Sequence, residues 1–366
     1  MPAAAHPHVI GLDACDHPVG GSVGGKALGL GFLLRQGLRV PPGFVVTTEA
    51  YRECLARSGL ATRISRELDA AGSLRARQRA SARIRALFES EPPAPDVLDE
   101  VRAAYHALGG PDAPVAVRSS ATTEDTAEAS FAGQLDSYLW VQGADEVARH
   151  VVRCWGSLFT PQAISYRAHL GIAPHGLAMA VVVQRMVPAE AAGVMLTIDP
   201  VTGDRSQIVI EAAFGLGVAV VDGEVTPDRF CVDKVTGELR SATIARKHLA
   251  HHFDPDAGGV GATAVPAHLQ AQPCLTQTEV GRIALLGKQV ERAMGGRAQD
   301  IEWAVAPAGG DGEREVLLLQ TRPETVWSRR TPAPIAPPGL PLMGRLVEAL
   351  HQPVNLDDRG PSTLGS

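Results

Sequence analysis

With 366 residues, 45% of them hydrophobic and 20% charged, the chain is long enough for two or three lobes around a large core and too apolar to be disordered. Its 34 basic and 40 acidic residues leave a net charge of −6, which argues against nucleic acid as the main partner. No apolar run approaches a membrane span, Met1 to Ile10 lacks the basic start and apolar core of a secretory signal, and the five cysteines are scattered without CxxC spacing. The expected setting is a reducing cytoplasm, with neither a zinc site nor a disulfide framework.

In chain order, Gly24 to Gly37 reads as a glycine-rich turn running into a helix, and Val40 to Val46 as a short strand entered through Pro41 and Pro42. Thr48 is expected to cap a helix reaching Arg57. The Arg- and Ala-rich stretch Ala61 to Pro92 predicts two helices broken near Gly72, with a further helix over Pro92 to Leu108. Ala113 to Arg118 is a short apolar strand ending in the polar loop Ser119 to Gln134. Ser137 to Val141 is a strand, and Ala144 to Tyr166 gives two helices meeting at Thr160 and Pro161. Leu177 to Met186 is a continuous apolar strand, expected to pair with Ala192 to Ile198. Gln207 to Ala212 is a strand entering a second glycine-rich loop, Phe214 to Gly217, and Arg229 to Asp233 is another. After a charged, His-rich stretch come a helix over Thr276 to Met294 and two strands, Asp300 to Ala306 and Glu315 to Thr321. Beyond Arg322 the composition turns proline-rich. There Leu342, Met343, Leu346, Val347 and Leu350 would form one apolar stripe on a short helix. Strands and helices in no strict βαβ order predict an α+β protein with lobes around a cleft.

Three segments carry candidate chemistry. Gly24-Gly25-Lys26-Ala27-Leu28-Gly29 offers a close backbone approach, a helix N-terminus and a cation, which suits a phosphate; a glycine turn with a surface lysine fits equally. Only four of the 34 basic residues are lysines, and Lys26 is alone in the first 233 residues. The strand Val115 to Arg118 delivers a guanidinium to the start of a hydroxyl-rich loop that ends Ser130-Phe131-Ala132-Gly133-Gln134, either a lid or a solvated loop. In Asp300-Ile301-Glu302-Trp303 and Gln320-Thr321-Arg322, period 2 puts Asp300 and Glu302 on one face and Gln320 and Arg322 on another. If the strands are neighbours, these residues form either a Mg²⁺–phosphate constellation or a salt-bridged strand pair.

The ordered set Gly24–Gly29, Val117–Asp125, Ala129–Gln134, Gln184-Arg185-Met186-Val187, Glu211–Gly217, Gly223 to Asp228, Asp300–Trp303 and Gln320–Pro323 resembles one family. It is similar to the N-terminal ATP-grasp domain shared by phosphoenolpyruvate synthase, pyruvate phosphate dikinase and rifampicin phosphotransferase, over about residues 10–328. The resemblance implies an ATP-grasp-like two-lobed fold with ATP between the lobes. Residues 1–175 would carry the phosphate-binding Lys/Arg and lid, residues 176–328 the adenine hinge and metal site, and residues 329–366 a tail. It further implies that Lys26 and Arg118 hold ATP phosphates, with Gly133 near the triphosphate. Gln184, Arg185, Met186 and Val187 would form the adenine hinge, and Glu211 would meet the ribose. Glu302 and Gln320 would bind Mg²⁺ with support from Asp300, and Arg322 would stabilise the transferring phosphoryl group. Two departures stand out: Thr126-Ala127-Glu128 replaces the usual Leu-Pro in the lid, and Val218 stands where a carboxylate often follows Gly-Leu-Gly.

In that family the β-phosphoryl group of ATP passes to a histidine on a separate swivelling domain, presented by a Gly-Gly-x-Thr-(Ser/Cys)-His-type sequence. The chain has no such sequence, and His248, His251 and His252 read as surface histidines. The expectation is therefore the ATP-binding subunit of a split dikinase, organised like the small subunit of phenylphosphate synthase. Its partner subunit would carry the phosphohistidine, for onward transfer to a small molecule such as a phenol or pyruvate. The competing readings are a self-contained ATP-grasp kinase or ligase and a nucleotide-binding regulatory module. A sensor has no need of the phosphoryl-transfer arginine.

Overall fold

The computed structural model describes residues 7–15, 22–57, 59–121, 125–126, 129–130, 136–170, 178–308 and 312–327. The chain divides into two units, Met1–Glu324 and Thr325–Ser366, and all the secondary structure described belongs to the first. The proline-rich tail, with its expected helix, and Gly133 of the Ser119 to Gln134 loop lie outside the described residues.

β1 (Val9–Gly11) leads through a 3-10 turn to α1 (Gly25–Arg35). Gly24 caps α1 in an extended conformation, and a Cβ there would lie 2.1 Å from the Ser120 carbonyl oxygen. Only glycine lets the helix begin this close to the neighbouring strand. β2 (Gly43–Val46) is followed by a helical layer of α2 (Thr48–Arg57), α3 (Leu60–Asp69), α4 (Leu74–Ser90) and α5 (Pro95–Ala107). The helix starts follow from local chemistry: the Ser73 hydroxyl accepts from the Ala76 N–H at α4, and Pro95 opens α5. Next come β3 (Val115–Ala121), the two-residue strands β4 (Asp125–Thr126) and β5 (Ala129–Ser130), β6 (Ser137–Val141), α6 (Ala144–Ser157), α7 (Pro161–Leu170) and β7 (Met179–Arg185). The remainder is β8 (Ala191–Leu196), β9 (Gln207–Phe214), α8 (Val218–Val221), β10 (Asp228–Asp233), β11 (Leu239–Thr243), β12 (Leu249–Asp254), β13 (Gly259–Ala264), α9 (Gln277–Ala293), β14 (Gln299–Ala306) and β15 (Glu315–Pro323). A capping box between Thr276 and Glu279 starts α9.

Two antiparallel sheets organise these strands, in the orders β1-β2-β7-β3-β6 and β11-β10-β9-β8-β14-β15. One face of the first sheet (Val46, Val117, Val181, Val183) packs on Tyr51, Phe88, Tyr105 and Trp155 of the helical layer. Its other face presents Val45, Ala180 and Val182, which pack in one core with Leu30 and Leu33 of α1. That core continues through Ile210, Ile301 and Trp303 of the second sheet to Ile283 of α9. Burying these apolar side chains, at about 1.5–3 kcal/mol each, dominates the stability of the unit. Among the described residues no helix is long and apolar enough to cross a membrane.

Most of the expected elements occur, with two corrections. β7 does not pair with β8: it lies between β2 and β3, while β8 lies between β9 and β14. A strand that is apolar on both faces reads as central in a sheet but does not say in which one. The chain crosses from the first sheet to the second between Arg185 and Ala191, beyond residue 175. The charged, His-rich stretch after Asp233, to which the sequence assigned no element, forms β11 and the β12–β13 hairpin.

Candidate functional site

β14 and β15 are neighbours, with Glu302 opposite Gln320 and Asp300 opposite Arg322. The register slips after Glu302, so Leu319 becomes an extra residue whose carbonyl is reached by Arg118 of the first sheet. Arg118 comes from the first sheet to meet this pair. In β3 it shares a face with Ala116 and Ser120, the face opposite Val117, and so points away from the helical core. Its Nη2 donates to Glu302 Oε2 at 2.6 Å and its Nη1 to the Leu319 carbonyl at 3.3 Å. Its Nε is buried and has no partner among the described residues. Arg322 donates through Nε and Nη2 to Asp300 Oδ2, at 2.9 and 2.7 Å.

Lys26, in the first turn of α1, donates from Nζ to the Ser119 carbonyl at 2.9 Å, and the Ser120 hydroxyl accepts from Ala27 N–H. Its charge reaches Glu302. Two of the other three lysines are also enclosed: Lys247 is fully buried on Asp228, and Lys234 donates to Glu291 and the Thr197 carbonyl. Lysine is thus kept where a compact ammonium sits in a closed niche, so its scarcity alone does not single out Lys26.

The two acids are pushed in opposite directions. Burial drives the Asp300 carboxyl up, against the pull of Arg322, and the neighbouring Glu302 adds to the rise. At Glu302 burial also pushes upward, but the charge and hydrogen bond of Arg118, reinforced by Lys26 and Arg322, outweigh it. That carboxyl is held below the usual carboxylate range.

Gln184 lies on the same face as Arg118, buried, and its carboxamide donates to the Pro41 carbonyl at 3.2 Å. Arg185 N–H donates to the Pro42 carbonyl and Met186 N–H to the Pro114 carbonyl, which anchors the start of the connection to β8. The Arg185 side chain is exposed and lies beside Gly109, on the helical side of the sheet. Val187 is buried in a small apolar group with Ala189, Ala192, Leu216 and Ala304, flanked by Leu319 and Trp140. Glu211 shares the site face of the second sheet: Val194 pairs with Glu211 on one side and Glu302 on the other. Across from it stands Arg229, 3.9 Å from both Glu211 and Asp199.

The structure thus brings together Lys26, Arg118, Glu302, Gln320, Asp300 and Arg322. It puts Gln184 on the Arg118 face of the first sheet, Glu211 on the Glu302 face of the second and Met186 and Val187 at the small apolar group, and leaves the Arg185 side chain on the helical side. The apolar group and Arg229 were missed from the sequence. Period 2 puts Ala304 on the Glu302 face, but small residues such as Ala192 and Ala304 give little signal. His248 and His252 are exposed, and His251 is bonded to Glu224.

A family model described as the pyruvate phosphate dikinase AMP/ATP-binding domain matches residues 20–337. The chain is 42% identical over 338 residues to a phosphoenolpyruvate synthase of Aeropyrum pernix, covering 84% of this chain and 41% of that protein. It is 42% identical over 322 residues to a rifampicin phosphotransferase of a Streptomyces species, covering 87% and 36%. A probable phosphoenolpyruvate synthase of Methanocaldococcus jannaschii is 40% identical over 312 residues, covering 84% and 26%. The chain therefore spans less than half the length of these relatives.

Proposed function

The chain belongs to the family of pyruvate phosphate dikinase AMP/ATP-binding domains, and from that membership we propose that it is the ATP-handling part of a dikinase-type phosphotransferase. ATP binds between the two sheets, in the manner of an ATP-grasp fold, with its lobes divided at the crossing between Arg185 and Ala191. Lys26 and Arg118 hold the phosphates, the role proposed for Gly133 is a place near the triphosphate, and Arg322 stabilises the phosphoryl group in transfer. The backbone of Gln184, Arg185, Met186 and Val187 meets adenine against the apolar group, and Glu211 meets the ribose.

The observation that carries this reading is the convergence of three cations on one ionised carboxylate and its opposite amide. The donor set fits Mg²⁺: Glu302 and Gln320 supply hard oxygen ligands on facing strand positions, with Asp300 in support. Bound there, Mg²⁺ would neutralise charge on the phosphate oxygens. The orphaned Arg118 Nε suits an anion, which lets Arg118 turn from Glu302 to a phosphate and leaves the carboxylate free. The chain's own residues thereby bind and orient the triphosphate in a site sheltered from water.

The phosphoryl group then passes to a histidine on a partner subunit bearing the swivelling domain, giving AMP and phosphate. That histidine phosphorylates a small molecule such as a phenol or pyruvate. Among the described residues His248, His251 and His252 make no hydrogen bond to the Arg118–Glu302 cluster, which supports an acceptor supplied from elsewhere. Isothermal titration of the whole chain tests the nucleotide assignment. Mg·ATP should bind saturably, and Arg118→Met should weaken it about ten- to a hundredfold, the worth of a charge-assisted contact. Absence of binding, or equal affinity in the variant, would overturn it.

A further inference from the structure

The strand β6 carries an irregularity that this function does not use. Val115 pairs with Val141 and Val117 with Tyr138, so Leu139 and Trp140 together face Ala116. This is a β-bulge, a device that re-aims a side chain. Trp140 sits at φ +60°, and no other non-glycine among the described residues has a positive φ. A bulky residue holds that conformation only where its surroundings impose it.

The surroundings come from the other sheet's half of the chain. The Trp140 indole stacks on Phe253 of β12, with ring centroids 4.8 Å apart and planes 13° from parallel. Phe253 pairs with Val260 across the hairpin, and Trp140 and Val260 both pack on the apolar group of Val187, Ala189, Ala192, Leu216 and Ala304. The hairpin is tied to the glycine-rich loop after β9. Leu216 N–H donates to the His251 carbonyl at 2.8 Å, and Gly215, at φ +75°, approaches so closely that a Cβ would lie 2.4 Å from that oxygen. One aromatic contact thus joins the strand that follows the Ser119 to Gln134 loop to the loop beside Glu211.

We propose that the Trp140–Phe253 stack is a clasp between the first sheet and the β12–β13 hairpin, itself tied to the loop after β9, that fixes the width of the cleft at its adenosine end, making both rings positioning residues for the nucleoside. The proposal rests on the ATP-binding reading above. The clasp lies among the apolar side chains next to Val187, whereas the hydrogen bonds described for Arg118 and Arg322 run to Glu302, the Leu319 carbonyl and Asp300. Its loss should therefore be felt by the base and ribose, and not by the phosphates.

The test uses the full chain and two probes, Mg·ATP and Mg·tripolyphosphate, in titrations of wild type, Trp140→Ala, Phe253→Leu and the double variant. Phe253→Leu removes the stack while keeping apolar volume, which guards against loss of folding. Each single variant should raise the dissociation constant for Mg·ATP about three- to tenfold, the worth of one aromatic pair, and leave that for tripolyphosphate unchanged. The double variant should be no weaker than the worse single one, because the two rings act as one contact. Trp140→Phe should restore most of the affinity. Equal weakening of both probes, or additive losses, would reduce the pair to general packing and overturn the clasp. Wild type that binds Mg·ATP no more tightly than Mg·tripolyphosphate would instead overturn the nucleotide reading on which it rests.

Discussion

Glu302→Gln is the most informative single change. It keeps the volume of the side chain and removes the charge that Arg118 faces at 2.6 Å. The two side chains are 18% and 20% exposed, so the pair lies between an exposed bridge, worth about 0.2–1 kcal/mol, and a fully buried one, whose breakage costs about 3–5 kcal/mol. The expected loss of stability is about 1.5–3 kcal/mol, left by Arg118 standing without a counter-charge beside Lys26 and Arg322. For a unit this large, each kcal/mol lowers Tm by about 1–2 °C, so calorimetry should read a fall of roughly 2–5 °C. Glu302→Ala, which also leaves a gap, should fall further. Mg²⁺-dependent turnover should drop by more than about a hundredfold, beyond what loss of an indirect metal contact costs. Affinity for metal-free ATP should hold or rise, because Arg118 is released to the phosphates. Wild-type turnover at saturating Mg²⁺ would refute the metal assignment. A lower Tm with unchanged metal dependence would leave only a structural ion pair.

Further expectations follow from the same geometry. Lys26→Arg should lose about tenfold or more in Mg·ATP affinity by titration, because a planar fork does not fit the niche where a compact ammonium meets the Ser119 carbonyl; unchanged affinity would leave Lys26 as a helix anchor. His8 contacts Glu53 and Glu100 through its two ring nitrogens, at 2.8 and 3.0 Å. Burial lowers its pKa, but the carboxylates outweigh burial and raise it. Its contribution is therefore full below the ordinary histidine range and lost as pH rises through the raised value. His8→Gln should cost about 0.5–1 kcal/mol at pH 6 and less at pH 9 by urea unfolding; a pH-independent loss would contradict the ion-pair account. The chain without a partner should bind Mg·ATP yet release little AMP, as chromatography of the nucleotide products would reveal, and stoichiometric phosphorylation of one of its own histidines would count against an external acceptor.

How much of this was legible in the sequence depended on where each signal lay. Asp300, Glu302, Gln320 and Arg322 could be read because period 2 fixes faces within a strand and the two strands are close in sequence. Their contact with Arg118 could not, since it spans 184 residues and two sheets. β7 was visible as a strand, but a segment apolar on both faces does not name its neighbours. β11 to β13 escaped because they bury little: from Arg240 to Thr243 every residue is exposed, so no apolar alternation marks the strand. Trp140 was hidden for the opposite reason, since a bulge breaks the alternation that would have predicted its direction.

In the proposed function this chain prepares ATP for transfer of its β-phosphoryl group to a partner's histidine. ATP radiolabelled in either its β- or its γ-phosphate, incubated with the chain, Mg²⁺ and a separately supplied phosphohistidine swivelling domain, tests it most directly. The β label should appear on that domain's histidine and the γ label in free phosphate, with AMP as the remaining nucleotide. ADP as the product, with the γ label on any acceptor, would contradict it.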